Sequence, residues 1–363
     1  MGTIVPRPRK DGTTAYMAKI ILKRKGKVVH RETETFDRRA AANAWIVKRE
    51  EALSKPGEIE RAKAPVPTLG QVIKKYLSDS IKPVGRTKKQ VLKSIQDFDI
   101  AQLPCDRIGS PNLVEFAQEL GKTRLPQTVG NYLSHLSEVF TVAGPAWGYP
   151  LDKKAIEDAA IVARRLGIIG RSNLRDRRPT MDELDRIMTF FTSRRVSAAP
   201  MLQITAFAIF STRRQEEITR ITWPDLDEEH SRVLVRDMKN PTEKAGNDVW
   251  CDLPEQALKI VQAMPRGPNR IFPYVPDTIG HAWRDACATL GIDNLRFHDL
   301  RHEGVSRLFE LGLNIPHVAA VSGHRSWTNL KRYTHIRAKG DKYAGWKWLE
   351  IAAPQKEKAE ERG

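Results

Sequence analysis

Alternation opens the chain. Tyr16, Ala18, Ile20 and Leu22 fall on one side of an extended stretch and Met17, Lys19, Ile21 and Lys23 on the other, the period of a half-exposed strand. Lys23-Arg24-Lys25-Gly26-Lys27 reads as a turn with Gly26 at its tip, and Val28 to Phe36 as the returning strand. Asp37 is placed to cap a helix over 38–53, with Ala41, Ala44, Trp45 and Ala52 as its buried face. The polar stretch 55–67, carrying Pro56, Pro65 and Pro67, reads as a linker.

From Thr68 the period lengthens to that of helices. Thr68 caps a segment bearing Val72, Ile73, Tyr76 and Leu77, and 87–98 and 113–120 supply two more. Residues 128–143 carry Val129, Tyr132, Leu133, Leu136 and Phe140 at helical spacing and predict the strongest helix. A basic, Gly-containing connection over 164–178 leads to Thr180-Met-Asp-Glu183, a capping box that opens another helix. Beyond it the pattern stays mostly helical to about residue 350, with short strands at 232–236 and 249–253 and a turn at 239–247. The charged stretch 355–363 reads as disordered. The fold class that follows is multidomain and mainly α with small β elements. It has an N-terminal β-hairpin or three-stranded sheet plus helix, a helical middle, and a mixed, mostly helical C-terminal domain.

Charge narrows the partners. Lys+Arg 61 against Asp+Glu 44 leaves +17, which a polyanion would explain, nucleic acid before an anionic membrane. Residues 1–31 hold nine Lys/Arg against the single acid Asp11, so one end is a positive arm. Such a hairpin can lie in a DNA groove or be structural with a solvated loop, and the segment alone leaves both open. No apolar run approaches a membrane span, and the N-terminus lacks the apolar core of a signal peptide. Cys105, Cys251 and Cys287 are scattered, without a CxxC pair, which suits three half-buried thiols in a reducing cytosol. Gly121-Lys122-Thr123 imitates the end of a phosphate-binding loop, but Phe116 stands where that motif needs its first Gly.

The chemistry lies in the last third. His298-Asp-Leu-Arg301-His302 puts a proton carrier and a fixed cation three residues apart, a pair suited to phosphate chemistry. His298 and His302 have the i, i+4 spacing of a zinc motif. Asp299 replaces the Glu that motif requires, and Arg301 would set a cation beside the metal. Further on stand Gly323-His324 and, nine residues later, Tyr333. Upstream runs Phe210-Ser-Thr-Arg-Arg-Gln-Glu-Glu-Ile-Thr-Arg-Ile-Thr-Trp-Pro-Asp225, and between the two the segment Val233-Leu-Val-Arg-Asp-Met-Lys239.

Together these resemble the tyrosine recombinase (phage integrase) family. Its signature is an Arg with an acid three residues on and then Trp-x-Asp, a Lys on a β-turn, HxxR, GH, and a Tyr nine residues past that His. Five pieces in order over about 120 residues leave chance a poor explanation. Counting eleven residues back from Asp225 selects Arg214, not Arg213, as the signature Arg, with Glu217 three beyond. The chain departs from the pattern at four places. Arg213 occupies an apolar position, Thr212 replaces a Gly, Ser322 the Leu before Gly-His, and Leu330 a common Thr.

The resemblance implies an arm-type DNA-binding domain (1–60), a linker (61–67), a helical core-binding domain (68–162), a second linker (163–178), a catalytic domain (179–352) and a polar tail (353–363). The middle carries the family's Thr-x-x-x-Tyr-Leu-x-x-Leu pattern from Thr128. The implied activity is site-specific recombination through a covalent 3′-phosphotyrosyl intermediate, integrating and excising a phage or mobile element without metal, ATP or other cofactor. Tyr333 would be the nucleophile. Arg214 and Arg301 would hold the non-bridging oxygens, with Glu217 orienting Arg214. Lys239 would protonate the leaving 5′-oxygen, with Lys244 a competitor for that role. His298 would take the Tyr333 proton, and His324 would bond the phosphate. Lys23, Arg24, Lys25 and Lys27 are candidate DNA contacts, whereas His302, His317 and His335 read as structural or exposed. The implied partners are double-stranded attachment sites, a homotetramer on DNA and an accessory directionality or DNA-bending protein, with no membrane, in a bacterial cytoplasm near the nucleoid. A type IB topoisomerase, a cell-encoded resolving recombinase and a DNA-binding protein without catalysis are the rivals. The arm and the compact HxxR…GH…Tyr spacing favour recombination.

Overall fold

The N-terminal alternation forms a three-stranded antiparallel sheet, β1 (Thr3–Pro8), β2 (Thr14–Arg24) and β3 (Lys27–Phe36), in that order. The computed structural model describes residues 2–24, 27–55, 59, 65–172, 175–193, 199–238 and 246–354. Of the basic turn, Lys23 and Lys27 are exposed, while Lys25 and the Arg24 side chain lie outside the described residues. Ala18 and Ile20 face inward against α1 (Arg39–Ser54), which contributes Ala42, Ile46 and Leu53. That face is rotated from the expected one: Ala41 and Ala44 are exposed, and Trp45 and Ala52 only half-buried. Asp37 is not the cap. Arg38 holds the N-cap position without a side-chain bond, and Asp37 accepts from Arg9 at 2.7 Å instead.

The helical middle comprises α2 (Leu69–Asp79), α3 (Arg86–Ile95), α4 (Ser110–Gly121), α5 (Pro126–Trp147) and α6 (Lys153–Arg165). Thr68 and Gln71 close a capping box on α2. Pro126 starts α5, where its missing N–H costs nothing, and Gly148, at φ 68°, ends it. Val129, Leu133, Leu136 and Phe140 bury against the neighbouring helices. Helix α6 continues to Arg165, three residues into the stretch read as a linker. Sheet and helices together make up one compact unit, Met1–Asn173, and the rest, Leu174–Gly363, another.

In the second unit the Thr180–Glu183 box closes in both directions at 2.9 and 3.1 Å and opens α7 (Met181–Ser193). Every residue of helix α8 (Met201–Ser211) but Gln203 is buried, and the helix forms the centre of the core. After it come the one-turn helix α9 (Gln215–Ile218) and an antiparallel sheet of β4 (Leu226–Asp227), β5 (Arg232–Val235) and β6 (Val249–Asp252). Four more helices follow, α10 (Glu255–Ala263), α11 (Pro276–Thr289), α12 (Asp299–Glu310) and α13 (Ile315–Ser322), and then α14 (Lys347–Ala352). Helix α12 can lie close on α8 because Gly304 has no side chain; a Cβ there would meet the Ile209 carbonyl oxygen at 2.1 Å. The C-terminal segment docks on its own chain: Trp346 and Trp348 both donate to Asp185, at 2.8 and 2.9 Å, and Ala352 is buried. No helix among the described residues is long and apolar enough to cross a membrane.

Candidate active site

Helix α8 ends at Thr212, which adopts φ 59°, a left-handed conformation that favours glycine and is strained for a β-branched residue. Arg301 helps hold it there, donating to the Thr212 carbonyl at 2.5 Å. The turn sends the next two arginines in different directions. Arg213 goes inward, fully buried, donating to the Ser211 carbonyl at 3.1 Å, to Cys251 Sγ at 3.0 Å and to the Val321 carbonyl. Arg214 remains a quarter exposed and donates to Glu217 Oε1 at 2.5 Å. The register counted from Asp225 and the direction of the side chains therefore agree on Arg214.

Glu217 is the hub. Its buried carboxylate lies 2.5 Å from Arg214, 3.7 Å from Arg213 and 3.9 Å from Arg301. Burial by itself would push this carboxyl up, but Arg213, Arg301 and Arg214 outweigh it and hold the pKa at about 2. Arg301, on the first turn of α12, is pressed down to about 9 by burial and by Arg214 and Arg213, and remains charged at neutral pH. It also donates to the Ser322 carbonyl at 2.9 Å and meets His324 Nε2 at 3.3 Å. Ser322 reaches the other ring nitrogen of His324 at 2.7 Å. Burial and the same three arginines hold the His324 imidazole down to about 3, hence neutral. Gly323, at φ 70°, makes this turn possible: a Cβ would come within 2.5 Å of Met238 and 3.0 Å of Cys251.

His298 stands exposed at the N-cap position of α12, without a side-chain bond to the helix end, and lines a cleft of about 550 Å³ with Arg214, Gln215 and Asn329. Tyr333 sits on a short 3₁₀ turn, Lys331–Tyr333, in a small apolar cluster with Val305, Leu308 and Val318, its ring stacked on Phe309. Burial pushes its phenol above the ordinary value, against the pull of Arg332 and Arg301. The hydrogen-bond partner of its hydroxyl is His302 Nδ1, at 2.6 Å. From the sequence His302 reads as structural or exposed. Its i, i+4 relation to His298 was visible, but the approach of Tyr333 depends on the tertiary fold. Lys239 and Lys244 lie outside the described residues.

The end of the stretch read as the second linker, from Arg175 to Arg178, is built into this unit. Arg175 forks onto the buried Asp299 at 2.7 and 2.6 Å, and Arg178 spans Glu303 and Glu310 at 2.7 and 2.8 Å. Arg332 pairs with Asp176 and donates to the Arg175 carbonyl at 2.6 Å.

Tyr333 lines a separate cavity of about 370 Å³ with His302, Arg178 and Arg332 and is within electrostatic reach of Arg301. A cluster of arginines around a buried carboxylate, with a phenol in the same unit, suits transfer of a phosphodiester to tyrosine. Residues 177–339 match the phage integrase family. A shufflon-specific DNA recombinase of Escherichia coli is 35% identical over 228 residues, 62% of this chain and 55% of that protein. The integrase of Salmonella phage P22 is 25% identical over 155 residues, 38% of this chain and 39% of that one. The chain thus spans about half the length, or less, of the curated relatives it matches. The fold resembles the lambda integrase tetramer bound to a Holliday junction, with TM-score 0.56 at 18% identity, covering 92% of this chain and 95% of that one. It also resembles the Tn1549 transposon integrase in complex with a circular intermediate DNA, with TM-score 0.57 at 14% identity, covering 79% and 100%.

Proposed function

We propose, from the match of residues 177–339 to the phage integrase family, that the protein is a site-specific DNA recombinase with Tyr333 as its nucleophile. The observation that carries this reading is the joining of Arg214, Arg301 and His324 through Glu217 and Ser322 in the unit that also holds Tyr333.

The Tyr333 oxygen attacks the scissile phosphorus and the bond to the 5′-oxygen breaks, leaving a 3′-phosphotyrosyl ester and a 5′-hydroxyl. The ester keeps the bond energy, so the 5′-hydroxyl of another strand can reverse the step and rejoin the DNA. Arg214 and Arg301 take the charge that builds on the non-bridging oxygens, with Glu217 holding the fork of Arg214 and the Thr212 and Ser322 carbonyls that of Arg301. His324 adds a hydrogen bond to the same oxygens, and His298, at the open mouth of the cleft, receives the phenolic proton. Lys239, or Lys244, returns a proton to the leaving oxygen. Cationic side chains occupy the role metal ions fill in many nucleases, so the reaction proceeds in EDTA.

The partners that follow are paired duplex sites held by a homotetramer, an accessory bending or directionality protein, and phosphates contacted by Lys23 and Lys27 at the basic hairpin. The exchange proposed is integration with excision of a mobile element. The higher identity to the shufflon-specific DNA recombinase than to the P22 integrase supports, as a second reading, a site-specific recombinase that is not an element's integrase.

The test is covalent capture on a library of nicked duplexes with a randomised core. Wild type becomes joined to DNA with EDTA present, while Tyr333→Phe binds without cross-linking. Capture by the Phe variant overturns the assignment.

A further inference from the structure

We propose that His302 is a positioning residue for the nucleophile, holding the Tyr333 hydroxyl through its Nδ1 and so fixing the direction from which the phenol meets a phosphate. The inference rests on the reading of Tyr333 as nucleophile and adds to it a group outside the Arg, Lys, His and Tyr signature.

Three observations support it. Tyr333 has little local scaffold. Its turn is three residues long and bonded at Tyr333 N to the Leu330 carbonyl (2.9 Å) and at Ile336 N to the Tyr333 carbonyl (3.0 Å). Phe309 stacks nearly parallel on the ring, at 6.1 Å between centroids and 11°. Stacking limits tilt but leaves the hydroxyl free to slide, and the 2.6 Å contact to His302 removes that freedom. His302 is itself well anchored, one residue beyond the buried Arg301 on α12, its ring edge-on to His298 at 5.2 Å. It thus stands between the histidine of the HxxR motif and the tyrosine.

The chemistry of the pair is consistent with holding rather than with acid catalysis. Burial, together with His298 and Arg332, holds the His302 imidazole down to about 4, so at neutral pH it is uncharged and can exchange a single hydrogen with the phenol. A buried hydroxyl without a partner would be costly, and His302 supplies that partner.

The atom involved gives the test its discrimination. An Asn side chain carries its amide at the position of Nδ1, and Gln carries it at that of Nε2. In the capture reaction on nicked duplexes, His302→Leu should slow cross-linking about tenfold, the loss of one well-placed hydrogen bond. His302→Asn should recover to within about threefold of wild type, and His302→Gln should behave like Leu, all three retaining DNA in a mobility shift. Capture by His302→Leu at or above the wild-type rate overturns the proposal, as does an Asn variant no better than Gln. A second arm needs no reaction. In the full chain labelled at tyrosine Cζ and free of DNA, the resonance lost in Tyr333→Phe should move in His302→Leu and return in His302→Asn. An unmoved resonance overturns the pairing. Cross-linking by Tyr333→Phe would instead sink the nucleophile assignment, leaving the resonance shift to judge His302 alone.

Discussion

Ser322 Oγ lies 2.7 Å from His324 Nδ1, while Nε2 of the same ring meets Arg301 at 3.3 Å. A guanidinium only donates, so Nε2 accepts and Nδ1 carries the hydrogen that Ser322 receives. To donate from Nε2 to a phosphate, the ring must take the other tautomer. A hydroxyl can support either form, because it both accepts and donates. Ser322→Ala should therefore slow covalent capture about fivefold with DNA retention unchanged. A wild-type capture rate in that variant would show that the hydroxyl is incidental.

Adjacent arginines should fail differently. Arg213→Met removes a buried cation from Glu217 and orphans the Val321 carbonyl, so the melting temperature should fall by about 5 °C or more. Arg214→Lys keeps the charge beside Glu217 but loses the fork, so stability should hold while capture collapses. Calorimetry and capture on the same two variants check both outcomes. The reverse assignment of losses would exchange their roles.

Acid should loosen the site in two stages. His324 and His302 sit at about 3 and 4 when folded against an ordinary 6.5, so the unfolded chain binds more protons and stability declines as pH falls below 6.5. Glu217, at about 2 against an ordinary 4.5, adds stability that is complete above 4.5 and lost as pH falls toward 2. Glu217→Gln should consequently be far less stable than wild type at pH 7, by about 3 kcal/mol or more, and the gap should narrow toward pH 2. A gap independent of pH in thermal scans would contradict the assigned ionisation.

Gly304→Ala tests the contact between α12 and α8. With the Ile209 carbonyl at 2.1 Å from the added carbon, the helices must separate, and Arg301 and His302 would shift with them. The melting temperature should drop by about 5 °C and capture should fall. A fully stable, active Ala variant would mean that the helices tolerate more distance than this packing suggests.

Much of this was legible because it is local or fixed by spacing. The cap at Thr68, the box at Thr180, the long α5, and the choice of Arg214 over Arg213 each depend on residues within a dozen positions. The inward face of α1 was misplaced because its alanines, Ala41, Ala42 and Ala44, are alike in polarity, and packing against Ala18 and Ile20 decides among them. Asp37 looked like a cap and instead pairs with Arg9, 28 residues away. Arg175 and Arg178 read as a linker because their acids, Asp299, Glu303 and Glu310, lie more than 100 residues on. His302 was set aside for the same reason: its meaning depends on where Tyr333 comes to rest.

The segment around Asp176 has a mechanical consequence. Arg332, next to the tyrosine, is tied to Asp176 and to the Arg175 carbonyl, and Arg178, two residues on, grips the helix that bears His302. This peptide acts as a splint: it carries no reacting group, yet it spans the joint between phenol and imidazole, so the two should yield together or not at all.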